Sequence, residues 1–187
     1  MAKTNKPLDY KYATSVINYD KSKTFKKLSE KNDCSVRAIA TAVDVEYDEA
    51  HEYIRDVFKR EVRKGCTNMV KTCIQLKGEE QEIAGKSFEF KYVPRQMIRN
   101  QYKLYGDYIY RNKTVKSFIK DFTRGTYLVF VANHVFTVMD GMLIDNNGEE
   151  YRPTRKVIDA VKVEVKEDKS QLDFLGELEP VKRAARG

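Results

Sequence analysis

The chain has 187 residues, 41% of them hydrophobic, with 35 basic against 28 acidic side chains and a formal charge of +7. That length suits one domain and a little more, and no apolar run approaches the ~20 residues of a membrane-spanning helix. Three cysteines are too few and too odd for a disulfide scaffold, and two histidines without a Cys-x-x-Cys pair argue against structural zinc, so the reading carries no cofactor, no metal and no membrane.

Residues 1–28 are lysine-rich and irregular, with an apolar patch between Tyr12 and Tyr19. Positive charge at the start is not followed by an apolar segment, which is unlike a secretory signal. With the cysteine usage, this points to a reducing, cytoplasmic setting. These residues are expected to form an extended arm that adds a strand, leaving a main domain over 29–166 and a charged tail over 167–187. The tail has one apolar knot at Leu172, Phe174 and Leu175.

A helix is expected over 34–43. Asn32 or Asp33 caps it, and Val36, Ile39, Ala40 and Val43 recur at helical spacing. Cys34 therefore stands at a helix N-terminus, where unpaired N–H groups and the helix dipole favour an anion. A thiol so placed has a lowered pKa, and the thiolate is the nucleophile. A second helix should begin at Asp48 and Glu49, bury Ala50, Tyr53, Ile54, Val57 and Phe58, and stop by Gly65. His51 within it reads as a surface residue. The basic cluster over 59–64 reads as a solvated helix end.

Residues 69–76 suit a short helix. Cys66 and Cys73, seven apart, read as packing cysteines on one helical face. The alternation over 88–93 is a strand that Pro94 ends. Tyr102, Tyr105, Tyr108 and Tyr110 follow, beside Lys103 and Arg111. Aromatics among cations can stack nucleobases, but packing at the edge of a core is the preferred reading.

The segment from 114 to 145 is clearer. Val115, Phe118, Ile119 and Phe122 mark a helix, Arg124-Gly125-Thr126 a turn, 127–131 a buried strand, and Asn133 a tight connection. Strands over 134–139 and 142–145 flank Asp140-Gly141, a two-residue hairpin signal. Val157, Val161, Val163 and Val165 add a further strand. Helices first and antiparallel strands later make an α+β fold.

Cys34, His134 and Asp145 form the candidate site. A cysteine hydrolase needs a thiolate, an imidazole that carries its proton, a group that orients the imidazole, and donors for the tetrahedral oxyanion. A two-residue turn pairs Met139 with Met142, so positions 136 and 145 oppose one another. Period-2 alternation then puts His134 and Asp145 on one face. Asp140 is the competing carboxylate, but an ordinary Asp-Gly turn explains it better. The Cys34 amide is the natural first oxyanion donor. The Asn32 side chain is the candidate for the second, in competition with a capping role.

The segments 32–40, 47–51 and 125–145 resemble the papain-like cysteine peptidase domains common in bacteriophage genomes, which are related in pattern to bacteriocin-leader-processing peptidases. The resemblance spans roughly residues 29–146. It implies a papain-like α+β fold in which N-terminal helices carrying the nucleophile pack on a C-terminal antiparallel sheet. It also implies Cys34 as nucleophile, His134 as base, Asp145 as orienting residue, and a protein or peptide substrate in a host cytoplasm or a virion. Leu28 stands where such enzymes often carry an oxyanion-donating glutamine, and Ser35 where many relatives have glycine. An alternative is a scaffold that binds a host or virion protein without chemistry. A third reading is nucleic-acid binding through the lysines and the tyrosine-rich stretch.

Overall fold

The computed structural model describes residues 22–144 and 154–166. Asp145 and the tail over 167–187 lie outside the described residues. Five helices and eight strands occur among those described: α1 Lys23–Leu28, α2 Cys34–Val43, α3 Tyr47–Phe58, α4 Met69–Gln75, β1 Glu80–Ile83, β2 Lys86–Tyr92, β3 Arg99–Leu104, β4 Asp107–Asn112, α5 Val115–Asp121, β5 Thr126–Val131, β6 His134–Met139, β7 Met142–Ile144 and β8 Asp159–Val165. This is a mixed α+β architecture, with helices leading and an antiparallel sheet region following.

Six strands form one antiparallel sheet in the order β1-β2-β8-β5-β6-β7, and β3 pairs only with β4. The late strand β8 inserts between β2 and β5, joining an early hairpin to a late one. The Asp140-Gly141 turn pairs Met139 with Met142, as the dipeptide predicts. Both turn residues have positive φ, 49° and 72°, the mirror-image turn that matches strand twist.

The two faces of the sheet bury separate clusters. One contains Leu128, Phe130, Val135, Phe88 and Phe90, packed under Val36, Ile39 and Val43 of α2 and Ile54 and Phe58 of α3. The other contains Val129, Val131, Phe136 and Val138, packed on Phe118 and Phe122 of α5. Strand alternation sends neighbouring residues to opposite faces, which is why both layers form from the same strands. On the first face the Thr137 hydroxyl donates to the Ala38 carbonyl at 2.8 Å, fixing α2 against β6.

Several expectations are corrected. The expected arm over 1–28 lies outside the described residues as far as 21, and its last part, Lys23–Leu28, is a helix. Ser22 caps it by accepting from the Phe25 amide at 2.9 Å and donates to Asp48 of α3. α3 ends at Phe58, short of Gly65, because Lys59 adopts the left-handed conformation that terminates helices. Cys66 precedes α4, so it shares no helix with Cys73. The tyrosine-rich stretch is a separate two-stranded ribbon whose tyrosines are exposed, not packed at a core edge.

Candidate active site

α2 begins at Cys34 with Asp33 as its N-cap residue, and Asp33 makes no side-chain capping bond. Its carboxylate is used elsewhere. It accepts from Arg37 Nε at 3.0 Å and from the Tyr47 hydroxyl at 2.9 Å, both inside the fold. The backbone ahead of it turns through Asn32 at φ 54°, a left-handed position that asparagine tolerates better than most residues.

That turn is anchored from below by a buried ionic cluster. Glu30 is 5% exposed, His51 3% and Arg60 5%. The Glu30 carboxylate accepts from Arg60 Nη2 at 2.7 Å, from His51 Nε2 at 2.8 Å and from the Arg63 amide at 3.1 Å. Arg60 Nη2 also donates to the Lys31 carbonyl at 3.2 Å. Burial alone would raise the Glu30 pKa, but the bonds from Arg60 and His51 outweigh it and hold the carboxyl below its usual range. His51 is therefore not a surface residue, and Arg60 is not part of a solvated helix end. Both tie the segment that delivers Cys34 to α3 and to the chain beyond it.

His134 opens β6, directly after the tight connection at Asn133, whose φ is 58°. Its ring lies 5.9 Å from that of Phe136 on the same strand. At the strand end the imidazole faces the start of α2 in the same cleft as Cys34, near enough to favour a negative charge on its sulfur. The backbone N–H groups of Val135 and Ser35 favour a charge on the same sulfur. Burial opposes ionisation of Cys34, yet these three groups prevail, and the thiol is held below its ordinary value of 9.0. The other two cysteines go the opposite way: burial pushes both Cys66 and Cys73 up. Cys34 is thus the one thiol of the three that ionises more readily than a free thiol.

Cys34 and His134 line a cleft of about 1050 Å³ with Asn32, Cys66, Arg155 and Asp159 among its other walls. Asn32 is present as expected, but its amide donates to the Arg63 carbonyl at 3.2 Å, so one of its two N–H groups is already committed. Asp140 serves its turn, accepting from the Gly125 amide at 2.8 Å. The hairpin register runs as expected to its last described pair, Thr137 with Ile144; Asp145 itself is the next residue, outside the described set.

Three cleft features had no signal in the sequence. Asp159 at the start of β8 accepts from the Tyr92 hydroxyl at 2.9 Å and lies 3.5 Å from Arg95 Nε. Arg155 donates to the Ala132 carbonyl, clamping the connection before His134. The Ser35 hydroxyl, beside Cys34, is buried without a hydrogen-bond partner among the described residues. The run Ser-Val-Arg-Ala shows that the serine sits on a helix, not that its oxygen faces inward unpaired.

Among the described residues, no group of three or more His, Cys, Asp or Glu side chains is placed to hold a metal ion, and no helix is long and apolar enough to cross a membrane. Comparison with protein-family models, with curated proteins and with solved structures yields no match.

Proposed function

We propose that the protein is a papain-like cysteine hydrolase that cleaves a peptide or isopeptide bond. The observation that carries this reading is that Cys34, at the N-terminus of α2, and His134, at the start of β6, line one cleft, with His134 favouring ionisation of the Cys34 thiol. Both stand in an open cleft. A thiolate held by an imidazole and by helix-start N–H groups is the activated nucleophile of such enzymes.

In this reading the Cys34 thiolate attacks the substrate carbonyl carbon, and the Cys34 backbone amide helps receive the developing oxyanion. The His134 imidazolium gives its proton to the leaving amine, forming a thioester on Cys34. Water, deprotonated by His134, then attacks the thioester and releases the acid. Asp145, outside the described residues, takes the orienting role on the arithmetic of the two-residue Asp140-Gly141 turn. The second N–H of the Asn32 amide is the candidate for the other oxyanion donor.

Brief treatment with iodoacetamide at neutral pH, followed by peptide mass mapping, tests the reading. Cys34 should be alkylated at least about tenfold faster than Cys66 and Cys73, since each unit of pKa separation is worth about that factor in thiolate. A screen of the full chain against a fluorogenic peptide library should give turnover that Cys34→Ala abolishes. Equal alkylation of the three cysteines would overturn the assignment of the nucleophile. Fast Cys34 alkylation without any turnover, peptide or isopeptide, would favour the binding scaffold.

A further inference from the structure

β3 and β4 form a ribbon that leaves the main sheet after Ile98 and returns at Lys113, where the Lys113 amide donates to the Ile98 carbonyl at 2.9 Å. The most exposed aromatic side chains among the described residues are on the ribbon. Tyr105 at its tip is 97% exposed, Tyr108 60% and Tyr110 59%. Exposed aromatics collected on one element, away from any core, are a binding feature more often than a structural one.

The register separates the two faces. Arg99 opposes Asn112, Gln101 opposes Tyr110 and Lys103 opposes Tyr108, so these six residues share one face. That face has two tyrosines, two cations and two amides, with no carboxylate. The single acidic residue of the ribbon, Asp107, opposes Leu104 on the other face. Neither Arg99 nor Lys103 is in an ion pair among the described residues. Unneutralised cations flanking bare aromatic rings match a ligand that is both a polyanion and a bearer of flat rings.

We propose that the Tyr108–Tyr110 face of the β3–β4 ribbon binds single-stranded nucleic acid, separately from the Cys34 cleft. Residues two apart on a strand stand roughly 6.8 Å from each other, about twice the spacing of stacked bases. Tyr108 and Tyr110 can each take the face of an unstacked base, while Lys103 and Arg99 meet the phosphates between them. A duplex keeps its base faces covered by their neighbours, so the rings select single strands. Base stacking on aromatics tolerates any sequence, and phosphate contacts make the affinity salt-dependent.

The test uses the full chain and fluorescein-labelled oligo-dT and oligo-U of about 20 nucleotides, longer than the ~4–16-nucleotide footprint usual for such platforms. Anisotropy is read between ~50 and ~200 mM salt. Either oligonucleotide binding, with unlabelled duplex of equal length competing poorly, supports the proposal; which of the two binds better identifies DNA or RNA. Tyr108→Ala with Tyr110→Ala should weaken binding by at least about tenfold, while Tyr108→Phe with Tyr110→Phe retains it, because the ring face does the work. Arg99→Gln with Lys103→Gln should flatten the logarithmic salt dependence by about 1.4, or ~0.7 for each phosphate that is no longer neutralised. The Phe and Gln pairs keep the strands intact should the Ala pair disturb the ribbon. Absence of binding at the lowest salt overturns the proposal, as does wild-type affinity in the Ala pair or equal competition by duplex. Equal competition by polyglutamate also overturns it and points to an acidic protein partner.

Discussion

The start of α2 and the β3–β4 ribbon treat polar and aromatic groups in opposite ways. Around Cys34, charged side chains are taken out of water and each is answered: Glu30 by Arg60 and His51, Asp33 by Arg37 and Tyr47. On the ribbon, tyrosines, Arg99 and Lys103 stay in solvent. A buried charge is costly unless paired, so the first arrangement tolerates almost no substitution. The ribbon holds together by cross-strand hydrogen bonds and is indifferent to most of its side chains. The segment under Cys34 is held by buried ionic contacts, whereas the side chains of the ribbon stand in solvent.

The contrast breaks most visibly at Arg60. Arg60→Met leaves Glu30 buried without its strongest partner and should cost about 3–5 kcal/mol in urea unfolding. Further, the Glu30 pKa is lower folded than unfolded, so its contribution is complete above the ordinary value of 4.5 and lost as pH falls through the folded value. Stability should therefore decline as pH drops below about 4.5. Glu30→Gln should lack this portion of the acid limb, visible as a shallower dependence of the melting temperature on pH.

Smaller effects sharpen the same comparison. Gly141→Ala places a Cβ at φ 72°, within 3.3 Å of the Thr123 backbone, and should destabilise by about 1 kcal/mol or more. In alkylation rate against pH, the Cys34 midpoint should fall below 9.0 and that of Cys66 above it. His134→Ala should raise the Cys34 midpoint toward the ordinary value by removing its largest stabilising partner. At the bottom of the scale, Tyr105→Ser at the ribbon tip should change unfolding free energy by no more than about 0.5 kcal/mol.

Local patterns in the chain carried the elements nearest the site. The span of α2 follows from an apolar stripe with Asp33 ahead of it. The β6–β7 register follows from Asp140-Gly141, because a two-residue turn leaves one way to pair the flanking strands. The proximity of Cys34 and His134, a hundred residues apart, was an expectation from chain order and came about only once α2 lay across β6. By contrast, His51 and Arg60 read as surface residues because a polar side chain among charged neighbours, in α3 or just after it, has no local mark of burial. Their partner Glu30 lies 21 and 30 residues away.

By itself, then, the sequence determined what depends on neighbours along the chain: helix periods, turn chemistry, and a cysteine at a helix start. The tertiary structure alone decided what depends on strangers. It put β8 between β2 and β5, drew Glu30, His51 and Arg60 into one buried cluster, and left the tyrosines of the ribbon in water. The physical reason is the same in each case. Burial of a charge or exposure of a ring is set by which distant segment packs there, and that is a property of the whole chain's free energy rather than of any window within it.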